Sequence, residues 1–188
     1  MSVAHSLLST LRSATEEVFD TMLALPLQVE PPVTGPHHVP ANVVAAVALA
    51  GHRRGLVVVH ASLTAARRIT SRMLGIPQHE VAGEVPDAMG EIANMVAGTF
   101  RNRLAAVEPA SDISVPMVTI GTDFSTVYPA PVFRARCPFD MQGEPLSVEL
   151  ILTGDEVGSL QQAAGAVACA VHAWGSEGDT PDRAGARC

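Results

Sequence analysis

The chain contains few aromatic residues and no long apolar run. Aromatic residues make up 4% of its 188 residues, whereas hydrophobic residues make up 47%. The chain can therefore bury a sizeable core, and that core must consist mainly of aliphatic side chains. No stretch of about 18 consecutive apolar residues is present, so we expect neither a transmembrane helix nor a membrane partner. The N-terminus lacks a basic start followed by a continuous apolar stretch, so we expect no secretory signal.

Positive charge is also scarce. The 12 Lys and Arg residues are outnumbered by 19 Asp and Glu, which gives a formal net charge of −7. Non-specific nucleic-acid binding depends on neutralising phosphates with Lys and Arg, so the composition argues against a nucleic-acid partner. The cysteines, Cys137, Cys169 and Cys188, are odd in number and far apart, which predicts neither a disulfide framework nor a zinc site. We therefore expect a protein of the reducing cytoplasm.

Helical and strand patterns alternate in an order that favours a single α+β domain. Apolar residues recur with helical spacing over residues 3–24, and Ser62 fits the N-cap of a helix that ends at Leu74, before Gly75. β-rich runs bounded by turn residues predict strands over 42–50, 55–61, 113–121, 132–137 and 146–153, with hairpin turns at 51–54 and 143–145. This pattern predicts helices packed on one face of an antiparallel sheet.

The C-terminal part has a different composition. Residues 156–174 are rich in Ala and are expected to be helical, with an apolar stripe that either packs on its own domain or forms a subunit interface. Residues 175–188 are small and polar, and we expect them to be disordered.

The most informative feature is a polar stripe on a helix predicted over residues 85–106. Residues three and four apart share one face of a helix, so Asp87, Glu91 and Asn94 form one stripe, which Gly98 continues. The other side of this helix is apolar and is expected to be buried: Met89, Ile92, Ala93, Val96, Phe100 and Leu104. The helix can therefore present a carboxylate and an amide together to another molecule.

Structural explanations account for part of this stripe. Asp87 lies in the first helical turn, where the helix dipole favours a carboxylate, and this is one complete explanation for it. Asn94 lies inside the helix although Asn has a poor helix propensity, which favours a functional role. Gly90 and Gly98 each cost about 1 kcal/mol of helix stability relative to Ala. Small residues beside the stripe would let the backbone of a partner approach closely.

Other residues that could carry chemistry form no complete motif. His37 and His38 lack the spaced Cys, Asp or Glu companions of a metal site, and they are expected in a loop. Ser62 and Ser71 have no Gly-x-Ser-x-Gly context, and no phosphate-binding glycine motif is present. His60 is expected to be a packing or surface residue. An enzyme that acts on a small molecule is disfavoured, because no convergent polar set for a pocket is apparent.

The stripe and a later proline resemble the signature of the CheC/CheX/FliY phosphatases. That signature reads D/S-x3-E-x2-N-x21-P, and Asp87, Glu91, Asn94 and Pro116 occupy its positions. Further segments resemble CheX in the same order: residues 18–23, 55–59, 73–75, 90–98 and 114–121. The resemblance covers residues 1–153. CheC-like proteins usually carry two copies of the motif, and this chain carries one, so it is most similar to CheX.

The resemblance implies an enzyme that hydrolyses the aspartyl phosphate of a response regulator such as CheY, in chemotaxis or another two-component system. Asn94 would position the attacking water, and Glu91 would pair with the active-site Lys of the regulator. Asp87 would either assist docking or only stabilise the helix end, and Gly90 and Gly98 would belong to the docking surface. Mg²⁺ is expected on the regulator, and no cofactor is expected on this chain.

The resemblance also implies an architecture and leaves a second function open. We expect a CheX-like two-layer α/β sandwich over residues 1–153, a further helix over 154–174 and a tail over 175–188. Pro116 would shape a strand that supports the motif helix, and the protein would form a homodimer. The alternative function is a non-catalytic adaptor that binds a response regulator or a flagellar-switch component. The intact pair Glu91 and Asn94 favours the enzyme.

Overall fold

The computed structural model describes residues 3–35, 41–122, 132–154 and 157–162. The helices are α1 (Val3–Leu23), α2 (Leu63–Leu74) and α3 (Val85–Leu104). The strands are β1 (Gln28–Val29), β2 (Val33–Thr34), β3 (Val43–Gly51), β4 (Gly55–Ala61), β5 (Ser111–Ile113), β6 (Met117–Ile120), β7 (Phe133–Met141) and β8 (Glu144–Leu152). Residues 157–162 are also helical. In these ranges, no helix is both long enough and apolar enough to cross a membrane.

Several predictions fall outside the described residues. These concern the pair His37 and His38, the cysteines Cys169 and Cys188, the C-terminal helix after residue 162 and the tail over 175–188.

The strands pair in an antiparallel sheet with the order β1-β7-β8-β4-β3-β5, in which β2 also pairs with β7 and β6 also pairs with β3. Two long hairpins, β3–β4 and β7–β8, form its centre, and β4 joins them by pairing with β8. The turn of the first hairpin lies between Gly51 and Gly55, as predicted. These glycines have φ values of 124° and 155°, which glycine adopts more easily than other residues.

The core lies between the helices and one face of the sheet. Alternate residues of each central strand, such as Val43, Ala45 and Val47 on β3, pack in the same cluster as the buried residues of α1, α2 and α3. Aliphatic side chains dominate this cluster, as the composition predicts. The aromatic exceptions are four phenylalanines that are almost completely buried: Phe19, Phe100, Phe133 and Phe139. The predicted α+β class with helices on an antiparallel sheet is therefore confirmed.

Helix α2 begins and ends where the sequence predicts. The Ser62 hydroxyl accepts a hydrogen bond from the Ala65 N–H at 3.0 Å, which satisfies one of the free donors of the first turn. Gly75 follows the last turn with φ 69°, and its N–H donates to the Ser71 carbonyl at 2.9 Å. A left-handed glycine at this position is a common end for a helix.

The strand predicted over residues 113–121 is interrupted. Ile113 pairs with Leu49 and Met117 pairs with Ala46, so four steps along this strand match three steps along β3. The extra residue makes a β-bulge between β5 and β6. Pro116 has no N–H to donate to the ladder. Next to it, the Ser114 hydroxyl accepts a hydrogen bond from the backbone N–H of Ala48 at 2.9 Å.

The turn between β7 and β8 lies earlier than predicted. Met141 pairs with Glu144, so Gln142 and Gly143 form a two-residue turn, whereas the sequence analysis placed it at 143–145. Both turn residues have positive φ values, 57° and 87°, as a type I′ turn requires. Pro145 belongs to β8, where it pairs with Asp140.

A buried charged cluster lies on the sheet face that points away from the helices. Val148 and Leu150 of β8 contribute to the helix-side core, so Glu149 between them points to the opposite face. Glu149 is 0% exposed, and its carboxylate accepts from Arg134 Nε at 2.7 Å and lies 3.1 Å from His60 Nε2. Burial alone would raise the pKa of Glu149, but the hydrogen bonds and charges of His60 and Arg134 hold it below its ordinary value of 4.5.

Replacing this carboxylate tests how much the cluster stabilises the fold. We expect Glu149→Gln to lower the free energy of unfolding by about 1–3 kcal/mol at neutral pH, because the Arg134 side chain loses its charged acceptor. The pKa of Glu149 is lower in the folded state than in the unfolded state. Its contribution is therefore complete above the unfolded-state pKa and is lost as the pH falls through the folded-state pKa.

Denaturant unfolding of the parent and Glu149→Gln as a function of pH measures this contribution. The difference in stability between the two proteins should shrink as the pH falls below about 4. Glu30→Gln removes an exposed carboxylate outside the helices and provides the matched control, with little effect expected at any pH. A stability difference between the parent and Glu149→Gln that stays constant in acid would contradict the role given to this carboxylate.

Candidate functional site

Helix α3 carries the predicted stripe and is fixed on its other side. Its buried face contains the apolar residues predicted from the sequence: Met89, Ile92, Ala93, Val96, Phe100 and Leu104. Pro86 lies in the first turn, where a missing N–H costs no helical hydrogen bond. In the last turn Arg103 forms an ion pair with Glu17 of α1. The rotation of α3 about its axis is therefore set by burial, and the polar stripe must face outward.

The stripe is accessible and its polar groups are free. Asp87 and Glu91 are exposed, and Asn94 and Gly98 are half-buried. Within the part of the chain that the structure describes, the side chains of Asp87, Glu91 and Asn94 have no hydrogen-bond or ion-pair partner. The structure therefore brings together the residues that the sequence analysis selected, and it leaves the carboxylates and the carboxamide available to another molecule.

Gly90 has a different environment from the one that its position suggested. It is buried, and a Cβ atom there would lie 3.3 Å from Pro116 Cγ and 3.5 Å from Val118 Cγ2. The small size of Gly90 thus serves packing within the chain and leaves it little surface to offer a partner. Gly98 is more open, because a Cβ there would meet only Ile113 Cδ1, at 3.9 Å.

Three apolar side chains in and next to β6 are exposed. Val115 is 85% exposed, Met117 is 65% exposed and Ile120 is 45% exposed. All three lie at the surface. The sequence analysis missed them as surface residues because it placed them in one regular strand. The available signal was Pro116, because a proline cannot donate to a strand ladder and is confined to edges and bulges.

Other reactive groups in the described ranges do not add to the stripe. Burial raises the pKa of the Cys137 thiol to about 12, so it is not a nucleophile at neutral pH. His60 belongs to the buried cluster with Glu149, and Ser62 caps α2 and donates to Glu144. No group of three or more His, Cys, Asp or Glu residues there could hold a metal ion.

The functional groups of the stripe are carboxylates and a carboxamide. A carboxamide can both donate to and accept from a water molecule, and a carboxylate can attract a cation. The stripe offers two carboxylates and a carboxamide on one exposed face, an arrangement that another molecule can contact. A helix with an exposed polar stripe and a rigid buried face can be inserted into a site on such a molecule.

Comparisons with known proteins identify the family and the fold. The family model for the chemotaxis phosphatase CheX matches residues 43–140, which is more than half of the chain and includes the stripe and Pro116. A comparison with curated proteins found no match.

Solved structures share the fold at low sequence identity. CheX from Desulfovibrio desulfuricans is 23% identical, with a TM-score of 0.73 over 79% of this chain and 99% of that one. A CheC-like protein from Shewanella sp. PV-4 is 22% identical, with a TM-score of 0.73 over 82% and 100%. The third structure is a complex of CheX with CheY, BeF3 and Mg²⁺ from Borrelia burgdorferi. It is 19% identical, with a TM-score of 0.66 over 78% and 97%.

These matches agree with the arrangement of the helices and strands. The predicted CheX-like α+β fold is confirmed, because helices cover an open antiparallel sheet as in the CheX from Desulfovibrio. The family model spans the motif helix and the strand that supports it. The chain therefore belongs to the chemotaxis phosphatase CheX family.

Proposed function

We propose that this protein accelerates hydrolysis of the aspartyl phosphate of a CheY-like response regulator. Asn94 positions the attacking water, and Glu91 pairs with the active-site Lys of the regulator. The observation that carries this proposal is the pair Glu91 and Asn94, which share one face of α3 and have no side-chain partner among the described residues. Family membership supports the phosphatase activity, and the Borrelia complex of a CheX with CheY supports the class of partner.

The reaction needs little from this chain besides placement. The water oxygen forms a bond to phosphorus while the bond between phosphorus and the aspartyl oxygen breaks. The products are inorganic phosphate, which keeps the protons of the water, and the free carboxylate of the regulator. Such transfers depend mostly on positioning and on stabilising charge around the phosphoryl group. Asn94 holds the water in line, and Mg²⁺, which we place on the regulator, balances the phosphoryl charge.

Glu91 is suited to docking and not to direct contact with the phosphoryl group. Two negative groups repel each other, so a bare carboxylate would disfavour the phosphorylated partner unless a cation lay between them. A Lys in the active site of the regulator supplies that cation, and the pair fixes the register of α3 on its target. Asp87, four residues before Glu91, assists docking on the same stripe, and Gly98 allows close approach beyond Asn94.

The decisive substitution is Asn94→Ala. We expect it to abolish accelerated hydrolysis, with a loss on the order of 100-fold, because the water is no longer held in line. The fold should be unaffected, since Asn94 has no partner in the described part of the chain. The measurement is the decay of a phosphorylated CheY-type regulator from the same genome, in Mg²⁺, with and without the protein.

Asn102→Ala provides the matched control. Asn102 is an exposed Asn on the same helix, and its carboxamide accepts hydrogen bonds from the neighbouring Arg101. Its removal should leave hydrolysis at the parent rate. An Asn94→Ala protein that hydrolysed as fast as the parent would exclude the proposed role of this residue.

Glu91→Ala tests docking separately from chemistry. We expect it to weaken binding to the regulator carrying BeF3 and Mg²⁺ by about 10-fold, which corresponds to about 1.4 kcal/mol. The effect should decrease as salt is added, because it comes from an ion pair. Isothermal titration measures the affinity, and Glu30→Ala, which removes a similarly exposed carboxylate outside α3, is the control. Equal affinities for Glu91→Ala and the parent would contradict the pairing.

The same experiments separate the enzyme from the alternative adaptor. A protein that binds the regulator and leaves its decay unchanged is an adaptor, whereas faster decay that requires Asn94 establishes the phosphatase.

Three related predictions remain proposals: a CheX-like domain over residues 1–153 followed by a C-terminal helix over 154–174, a homodimer, and action in the cytoplasm. Light scattering of the purified protein tests the homodimer directly.

A further inference from the structure

At Gly90 the backbone of α3 packs directly against the side chains of Pro116 and Val118. The site of a Cβ atom lies 3.3 Å from Pro116 Cγ, 3.5 Å from Val118 Cγ2 and 3.6 Å from Pro116 Cβ. A methyl group at the first of these distances would require a neighbour to move by a few tenths of an ångström. At Gly98, two turns later on the same helix, the corresponding space is open except for Ile113 Cδ1 at 3.9 Å.

The neighbours of Gly90 have little freedom to move. Pro116 has a closed ring and a fixed φ, and it lies in the bulge between β5 and β6. Directly after it, Met117 and Val118 pair with Ala46 and Ala45 of β3. Val118 is β-branched and stiff at χ1. A side chain at position 90 would therefore press against neighbours with little room to yield, and we expect part of the adjustment to fall on α3.

The position of α3 matters because the stripe is attached to it at this point. Glu91 is the next residue, and Asn94 lies one helical turn after Gly90. We propose that Gly90 and Pro116 form a positioning contact that sets the height of α3 above β6 and so the placement of the Asn94 carboxamide. This inference rests on the proposed function. It also gives the proline of the motif a specific partner.

The first test compares Gly90→Ala with Gly98→Ala. Both changes raise helix propensity equally, so a difference between them must come from the surroundings. We expect Gly98→Ala to raise Tm by about 2–4 °C and Gly90→Ala to gain less or nothing. For turnover of the phosphorylated CheY-type regulator, we expect Gly90→Ala to lower kcat by about 10-fold, because small displacements of a positioning group are costly.

Affinity distinguishes positioning from docking. Affinity of Gly90→Ala for the regulator carrying BeF3 and Mg²⁺ should stay within about 3-fold of the parent, because a long Glu91 side chain can follow a small shift. Gly83→Ala, at an exposed glycine with no atom near the added Cβ, is the control for activity. A loss of affinity with unchanged kcat would show that Gly90 belongs to the docking surface and would overturn the inference.

The second test is a double-mutant cycle of Gly90→Ala and Pro116→Ala. Pro116→Ala removes the Cγ atom that an alanine at position 90 would meet. If the two residues act through one contact, Gly90→Ala should have little further effect in this background. The double variant should then turn over within about 2-fold of Pro116→Ala alone. A double variant that combines both losses in full would contradict the contact.

The outcomes separate the two proposals. If the parent accelerates decay of the phosphorylated regulator and Asn94→Ala does not, the proposed function is supported. The kcat values of the Gly90 variants then test the positioning contact. If the parent leaves decay unchanged, the proposed function fails. The Tm values of Gly90→Ala, Pro116→Ala and the double variant then test the contact by itself. Non-additive changes in Tm then support it, and additive changes overturn it.

Discussion

Burial of one face of α3 against the sheet is the constraint on which the site depends. The apolar side chains on that face, among them Met89, Ile92 and Phe100, belong to the core that holds the helices on the sheet. Rotating the helix would expose them and bury the carboxylates, which is unfavourable on both counts. The hydrophobic effect therefore orients the stripe, although no residue of the stripe contributes to the core. Stability and presentation of the polar groups come from opposite sides of one element.

The proposed mechanism does not require a side chain of this protein with a shifted pKa. Asn94 requires no perturbed pKa, because a carboxamide donates and accepts hydrogen bonds at any ordinary pH. The titratable groups with clear shifts lie elsewhere. Burial raises the pKa of the Cys137 thiol, and Glu149 is held ionised on the far face of the sheet. In the proposed mechanism the metal and the reactive phosphoryl group belong to the partner, and this protein supplies geometry.

Local signals predicted the parts of this structure that local chemistry controls. The 3.6-residue period predicted the buried face of α3, and Ser62 and Gly75 predicted the ends of α2, because caps are satisfied within a few residues. The bulge was missed, because Pro116 alters a pairing with β3 that the sequence does not reveal. The burial of Gly90 was missed for the same reason: its neighbours come from another element. Contacts between distant segments determine how the site is held.

The bulge also affects how the sheet meets solvent. One edge of the sheet consists of β5 and β6. These strands have three and four residues, and the bulge separates them, so the edge is not one continuous strand. At the other end, β1 and β2 have only two residues each. Short and interrupted edges are poor templates for adding strands from other molecules. A replacement of Pro116 that restored a continuous edge would thus remove a barrier to aggregation, next to exposed Val115 and Met117.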